Sequence, residues 1–150
     1  MKLFLSFIFF INLATADEII WYNDFTSAQK QAITEKKPLL IMFTDPTCHI
    51  CNSMHKDVFS HKTIITKQSS YFISLILDLQ KNKIPTQFKN VAIPSFYFVD
   101  TDGNPIAVKI GGTHVYGWNK QLARVITQLN SENNETIKID TLNKYIKHQH

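Results

Sequence analysis

The residues best suited to chemistry in this sequence are Cys48 and Cys51, the two cysteines of a 150-residue chain. Two thiols at that spacing on the first turn of a helix can close a small disulfide ring and exchange it with other thiols. The alternative is a permanent structural bridge, but so short a loop restricts the unfolded chain little and would stabilise the fold weakly. One pair is also too small for a disulfide scaffold or a four-thiolate zinc site, so the spacing favours dithiol-disulfide exchange.

The elements around the pair are predicted to activate it. Residues 39–43 form an uninterrupted apolar run, typical of a strand buried on both faces of a sheet. A turn follows, and the spacing of Cys51, Met54 and Val58 predicts a helix that begins near Cys48 and keeps Cys51 on its inner face. The free N–H groups at that helix end, with a contribution from His49, favour a thiolate at Cys48, while Cys51 is shielded for the second step.

The remainder of the chain alternates helix and strand patterns. The predicted elements are a helix over 25–36, a strand over 39–43, a helix from 48, a strand over 72–77, a short helix around 86–89, strands over 96–99 and 106–110, and a last helix over 118–129. The last two strands are separated by a turn at hairpin distance and should be antiparallel. This order predicts an α/β fold with a central mixed sheet between helices.

The two ends of the chain are expected to lie outside the domain. Residues 1–16 have the pattern of a secretory signal peptide, with Lys2 before an apolar run and a small-residue cleavage site at 14–16. The run is shorter than the roughly 20 residues that span a membrane, so cleavage before Asp17 and a periplasmic or otherwise secreted protein are expected. Residues 131–150 are interpreted as a polar extension, with spacing that allows a short helix around 142–146. The domain is then 17–130.

Several features together resemble the thioredoxin-fold superfamily over residues 21–130. They are the cysteine pair at a helix start, the Ile93-Pro94 dipeptide directly before a strand and hairpin, and a diglycine before the final helix. Trp21, the Lys-Pro before the first long strand and the Asp-Pro-Thr-Cys turn look most like secreted thioredoxin-related proteins and the soluble reductase domain of the DsbD type. The resemblance implies the thioredoxin fold.

The resemblance also implies roles for individual residues. Cys48 would be the attacking cysteine, Cys51 the resolving one, and the two would form a disulfide. Pro94 would be a cis-proline facing the pair and is counted with the cysteines as catalytic; an ordinary trans proline starting a strand is the alternative. The backbone of Ile93 would pair with an extended substrate segment. The residues expected to contact substrate are Thr47, His49, Ile93 and Pro94.

The function expected from this resemblance is thiol-disulfide exchange with protein substrates, as a reductase or isomerase-type partner. A membrane or soluble redox protein would recharge the cysteine pair, and no cofactor or metal is expected. Basic residues exceed acidic ones by 16 − 12 = 4. They are scattered along the chain, so nucleic-acid binding is disfavoured. A monomer is expected.

The sequence departs from thioredoxin at three positions. Thr47 stands where thioredoxins have a tryptophan, and the residues between the cysteines are His-Ile instead of Gly-Pro. Met42 occupies the position of the buried aspartate that accepts a proton in thioredoxins. Deprotonation of Cys51 would then need Asp45, water or a histidine, although Asp45 is interpreted as a turn residue. The direction of electron flow stays open.

Two other functions use the same region. A Cu(I)-handling protein could use Cys48 and Cys51 with Met54, His49 or His55, since thiolates and thioethers suit Cu(I). Against this, Met54 lies on an apolar helical stripe and is interpreted as core, while His55, like His61 and His114, is interpreted as a surface residue. A thioredoxin-like module that binds unfolded or reduced polypeptides, with auxiliary cysteines, is the second alternative.

Overall fold

The structure is a computed structural model that describes residues 17–88 and 91–147. The predicted signal peptide therefore lies outside the described residues. The elements are β1 Trp21–Tyr22, α1 Phe25–Glu35, β2 Leu39–Thr44, α2 His49–Ser53, a π-helical turn Met54–Val58, α3 Lys62–Tyr71, β3 Ile73–Asp78, a 3-10 turn Thr86–Phe88, β4 Ser95–Val99, β5 Pro105–Ile110 and α4 Val115–Lys147.

The strands form one mixed sheet in the order β1-β3-β2-β4-β5. β2 lies in the middle, parallel to β3 and antiparallel to β4, while β5 is antiparallel to β4. This confirms the predicted α/β fold, including the hairpin. β2 is buried along its first five residues because alternate side chains enter cores on opposite faces of the sheet.

Two cores cover the faces of the sheet. The front core contains Leu40 and Met42 of β2 and packs them against α2, α3 and α4; its central members include Cys51, Met54, Phe96 and Trp118. The rear core contains Leu39, Ile41 and Phe43 of β2 and packs them against α1 and the 3-10 turn; its other members include Ala28, Ala32 and Phe88. The cysteine pair therefore belongs to the front of the sheet.

Three loops meet at one end of the sheet and form the site. β2 ends at Thr44, four residues before Cys48. β4 runs the other way and begins at Ser95, which pairs with Phe43 of β2 and with Ile110 at the end of β5. The segments after β2, before β4 and after β5 must consequently lie side by side. This places the cysteines, the Ile93-Pro94 dipeptide and the diglycine together.

The structure adds elements that the sequence patterns did not predict. β1 and α3 are new, and the helix expected from residue 48 is divided into α2 and a π-helical turn. α4 continues past residue 131, where the polar extension was expected to begin, because no glycine or proline follows Gly117 to end it. Its 33 residues span about 50 Å, and the short helix expected around 142–146 is part of it. None of the described helices is long and apolar enough to cross a membrane.

Candidate active site

The two cysteines are joined in a disulfide and differ in their access to solvent. The Sγ atoms are 2.04 Å apart and the Cα atoms 5.2 Å apart. Cys48 is half-buried and caps α2, where its sulfur accepts a hydrogen bond from the Cys51 N–H at 3.1 Å. Cys51 lies one turn further on, 1% exposed, in the front core. An incoming sulfur can therefore reach Cys48 but not Cys51.

The turn before the pair is organised by Asp45. Its Oδ1 atom accepts hydrogen bonds from both the N–H and the hydroxyl of Thr47, each at 2.8 Å. Its carbonyl accepts the Cys48 N–H at 3.2 Å. These bonds turn the chain out of β2 and into α2, so that Cys48 occupies the helix start. The interpretation of Asp45 as a turn residue is confirmed, and Thr47 is exposed beside Cys48.

The Ile93-Pro94 peptide bond is cis, as the resemblance implies. Pro94 is buried, and its carbonyl accepts the Gly111 N–H at 2.8 Å, which joins the segment before β4 to the loop after β5. Ile93 is half-buried and packs against the front core. Because β4 starts opposite the end of β2, this dipeptide lies at the same end of the sheet as the disulfide.

The position of the thioredoxin aspartate is filled by an apolar side chain. Met42 is fully buried in the front core, as is Cys51, and its Cα pairs with those of Ile76 and Phe96 on the neighbouring strands. In the reduced protein, such apolar surroundings would disfavour a thiolate at Cys51. The Asp45 carboxylate already accepts hydrogen bonds from its own turn.

His55 is not the surface residue that the sequence suggested. Its ring lies edge-on to Trp21 and Phe59, with centroids 5.4 and 5.2 Å away, and its Nε2 atom is buried with no hydrogen-bond partner among the described residues. Burial lowers the pKa of His55 below its usual 6.5, because the charged imidazolium loses hydration there. This burial was not predictable from the sequence patterns, because Trp21 belongs to β1, which was not predicted, and Phe59 follows directly after the π-helical turn. His61 and His114 are exposed, as expected.

The residues considered as Cu(I) ligands lie in different surroundings and do not form one site. Met54 is buried in the front core, as interpreted, and its Sδ atom accepts the Thr113 N–H at 3.2 Å. His49 is exposed to solvent and His55 packs against aromatic rings. Within 17–88 and 91–147, no group of three or more histidines, cysteines or carboxylates is placed to hold a metal ion.

Lys109 at the end of β5 and Gly112 in the loop after it contribute to the site without having been predicted to do so. The Lys109 ammonium donates hydrogen bonds to the carbonyls of Ile110, Gly111 and Gly112, at 3.4, 3.0 and 3.5 Å. Gly112 packs so closely against Ile50, the residue before Cys51, that a Cβ atom at Gly112 would collide with Ile50 Cγ2. Sequence spacing could not reveal the contact between Gly112 and Ile50, because 62 residues separate them.

Comparisons with known proteins agree with this geometry. The thioredoxin-like domain family matches residues 25–126, which include the cysteine pair, the cis-proline and the loop after β5. Among curated proteins none matches this chain.

Solved structures share the fold at low sequence identity. The DsbH oxidoreductase is 18% identical with a TM-score of 0.60, and the match covers 75% of this chain and 88% of DsbH. A candidate disulphide-isomerase from Bacteroides thetaiotaomicron is 22% identical with a TM-score of 0.64, covering 75% of this chain and 97% of that one. The C-terminal domain of Neisseria meningitidis DsbD is 17% identical with a TM-score of 0.54, covering 68% and 98%. At these identities the likeness is one of fold.

Proposed function

This chain belongs to the thioredoxin-like domain family, and from that premise we propose that it reduces disulfides of protein substrates outside the cytosol. Family membership and the Cys48–Cys51 disulfide together support the predicted thiol-disulfide oxidoreductase. The observation that carries the proposal is the asymmetry of the pair. Cys48 is partly exposed at a helix start and its sulfur accepts a hydrogen bond from a backbone N–H, whereas Cys51 is 1% exposed behind it.

The reduced pair would act in two steps. The Cys48 thiolate attacks one sulfur of a substrate disulfide; a Cys48–substrate bond forms, and the second substrate sulfur leaves as a thiolate and takes a proton from water. Cys51 then gives its proton to water, or to the departing sulfur, and attacks Cys48. The Cys48–Cys51 disulfide re-forms and the first substrate sulfur leaves as a thiol. Two electrons pass from the pair to the substrate.

The neighbouring loops would position the substrate chain. Ile93 precedes β4 at the end of the sheet that carries the disulfide, which supports the expectation that its backbone would pair with an extended substrate segment. The cis Ile93-Pro94 bond and the hydrogen bond from Gly111 to the Pro94 carbonyl fix this segment. Thr47 and His49 are exposed on either side of Cys48 and would contact the same substrate.

The contacts of Cys48 support the reducing direction. A strong oxidant of this kind stabilises its reduced form, chiefly through the thiolate. Here the sulfur accepts one backbone N–H, and the His49 side chain is exposed, so that water and salt weaken any charge interaction with a thiolate. Because little stabilises its thiolate, the reduced pair is expected to give up its electrons readily.

The compartment and the recharging partner are part of the same proposal. The predicted signal peptide at 1–16 supports export, after which the chain would begin at Asp17. Each cycle leaves the cysteine pair oxidised, so a membrane or soluble redox protein must return two electrons to it. Sequencing the N-terminus of the protein isolated from the extracytoplasmic fraction tests this localisation, and Asp17 is the residue expected.

Trapping of substrates tests the exchange reaction. Cys51→Ser should accumulate mixed disulfides between Cys48 and substrate proteins, because the resolving thiol is gone. Cys48→Ser should lower exchange with a model disulfide to background, and the double variant is the control that should capture nothing. Non-reducing electrophoresis with mass spectrometry identifies the adducts. If Cys51→Ser captures no more protein than the double variant and the wild type exchanges no disulfide, the proposed function is wrong.

The reduction potential of the wild-type pair tests the direction. We expect a value nearer to the roughly −270 mV of a reducing thioredoxin than to the roughly −120 mV of a strong oxidant. Equilibration with glutathione buffers of known ratio measures it. A value at the oxidising end would assign the protein to disulfide formation.

A further inference from the structure

His55 has a buried ring nitrogen that the fold leaves without a hydrogen bond. Its Nε2 atom is shielded from solvent and has no partner within residues 17–88 and 91–147. Buried polar atoms are nearly always paired, so an unpaired one needs an explanation, and a catalytic role is one of the few available. Of the described residues, Ser69 and Ser95 also carry a buried hydroxyl oxygen without a partner, but a hydroxyl lacks the basicity of an imidazole.

The same residue is a neighbour of the resolving cysteine on the helix. α2 and the π-helical turn follow one another directly over 49–58, and His55 comes four residues after Cys51. Side chains four apart on a helix have Cβ atoms about 5–6 Å apart and lean toward the N-terminus of the helix. The imidazole is therefore directed back toward Cys51. The rings that pack on it, Trp21 and Phe59, lie in or against the front core that holds the Cys51 sulfur.

Cys51 requires a proton acceptor in the second step of exchange. It is 1% exposed among apolar side chains, where a thiol retains its proton. Met42, at the position of the thioredoxin aspartate, has no group that could accept it. The Asp45 carboxylate is engaged by the N–H and the hydroxyl of Thr47. His55 Nε2 is the buried basic atom that remains among the described neighbours of Cys51.

The surroundings of His55 keep its ring neutral near pH 7. Trp21 from β1 and Phe59 pack on it and carry no charge, while Lys56 and Asp57 of its own turn are exposed and form no ion pair with it. Burial alone lowers the pKa of His55 below 6.5, so the ring has a free lone pair at neutral pH. With the ring proton on Nδ1, that lone pair is on the buried Nε2 atom.

We propose that His55 is the general base of the resolving step, through which the proton of Cys51 reaches water; this inference rests on the proposed exchange with protein disulfides. Nε2 takes the proton from Cys51 Sγ as this sulfur attacks Cys48. The Cys48–Cys51 bond forms, the bond between Cys48 and the substrate sulfur breaks, and the electron pair of that bond leaves with the substrate thiolate. The thiolate takes a proton from water, and the imidazolium returns one to water.

A small aromatic disulfide whose thiolate absorbs visible light separates the two steps. Attack by Cys48 of the reduced protein releases one thiolate and resolution by Cys51 releases a second, so stopped-flow traces contain two phases. Cys51→Ser should retain only the first phase. His55→Gln keeps a polar side chain that cannot take up a proton. It should slow the second phase about a hundredfold, as expected for loss of a general base, and leave the first unchanged.

The exposed His61 provides a matched control, since His61→Gln should leave both phases at the wild-type rates. Equal slowing of both phases in His55→Gln, or an unchanged second phase, overturns the role of His55 while exchange itself still stands. A wild-type protein that releases no thiolate overturns the proposed function instead.

The pH dependence of the second phase is a readout that a purely structural role of His55 would not change. The acceptor must be neutral, so the wild-type rate should be constant between pH 6.5 and pH 8 and should fall at lower pH as His55 is protonated. In His55→Gln the Cys51 thiolate must form beforehand, so the rate should rise about tenfold per pH unit over the same interval. A wild-type rate with that rise overturns the proposal even if His55→Gln does not fold.

Discussion

The front and rear cores share the same sheet but are held together differently. The rear core is built by α1, through Ala28 and Ala32, and by a cluster of aromatic rings that includes Phe43 and Phe88. The front core also encloses polar groups, since Gln68 and Ser74 are buried against it, and it holds the sulfur of Cys51. Both faces therefore contribute to stability, but the chemistry of the cysteine pair lies on the front face. Substitutions on the rear face should change stability alone, whereas substitutions on the front face should change stability and chemistry together.

The largest effect is expected from removing an aromatic ring of the rear core. Phe43 is fully buried and its ring lies 5.5 Å from Phe88 and 5.4 Å from Tyr97. Phe43→Ala should lower the free energy of unfolding by about 3–5 kcal/mol, through lost burial and the cavity left behind. The reduction potential of the folded protein should stay at the wild-type value. Denaturant unfolding and glutathione equilibration measure the two quantities.

The matched variant on the front face is Phe96→Ala. Phe96 is fully buried, pairs with Met42 and packs on Trp118 with ring centroids 4.6 Å apart. Its loss should cost a similar free energy of unfolding and also shift the reduction potential, because it loosens the core around Cys51. Equal shifts of potential in both variants would refute the separation of the faces.

A smaller effect is expected from the buried hydrogen bonds of the front core. Gln68 is fully buried; its Oε1 accepts the Trp118 Nε1–H at 3.0 Å and its Nε2 donates to Ser74 Oγ at 3.0 Å. Gln68→Leu leaves the indole N–H without a partner and should lower the free energy of unfolding by about 1–3 kcal/mol. The exposed Gln128→Leu should change it by less than about 0.5 kcal/mol. Unfolding curves for both variants decide whether these bonds stabilise the front core.

The hydrogen bonds of Gln68 also show why α3 could not be predicted from the sequence. β2, the helix start at the cysteines and the hairpin follow from local patterns, because apolar runs, spacing and turn residues are all close in sequence. α3 has no such pattern: its buried positions are Ile64, Ile65 and Gln68, and a buried glutamine looks polar in the sequence. Its partner Trp118 lies 50 residues further along the chain.

The site divides in the same way. The cysteines, the cis-proline and the turn role of Asp45 were accessible from motif and spacing. β1 was not, because its two residues carry too little pattern and are recognised as a strand by pairing with β3. Because β1 was not predicted, the burial of His55 could not be predicted either, since Trp21 of β1 packs against one side of its ring. Contacts between distant segments set these positions.

The smallest effect is expected from His55 and depends on pH. Burial against Trp21 and Phe59 lowers its pKa in the folded protein, so the unfolded chain takes up the proton first as the pH falls. The neutral His55 therefore contributes fully to the free energy of unfolding above its usual pKa of 6.5, and this contribution decreases as the pH falls below that value. Hydrogen bonds lower the pKa values of Asp24, Glu35 and Asp100 from their usual 3.8 to 4.5. These carboxyl groups therefore change the free energy of unfolding only at a pH below the range in which His55 does.

The comparison is therefore made between pH 7.5 and pH 5. The wild type should lose stability on acidification in this interval, and His55→Phe, which keeps an aromatic ring against Trp21 and Phe59, should lose less. His114→Phe is the control, because His114 is exposed and should leave the wild-type slope unchanged. Urea unfolding at both pH values gives the slopes. Parallel curves for the wild type and His55→Phe would mean that the front core accommodates a protonated His55 without loss, and that its polar groups are less confined than the structure indicates.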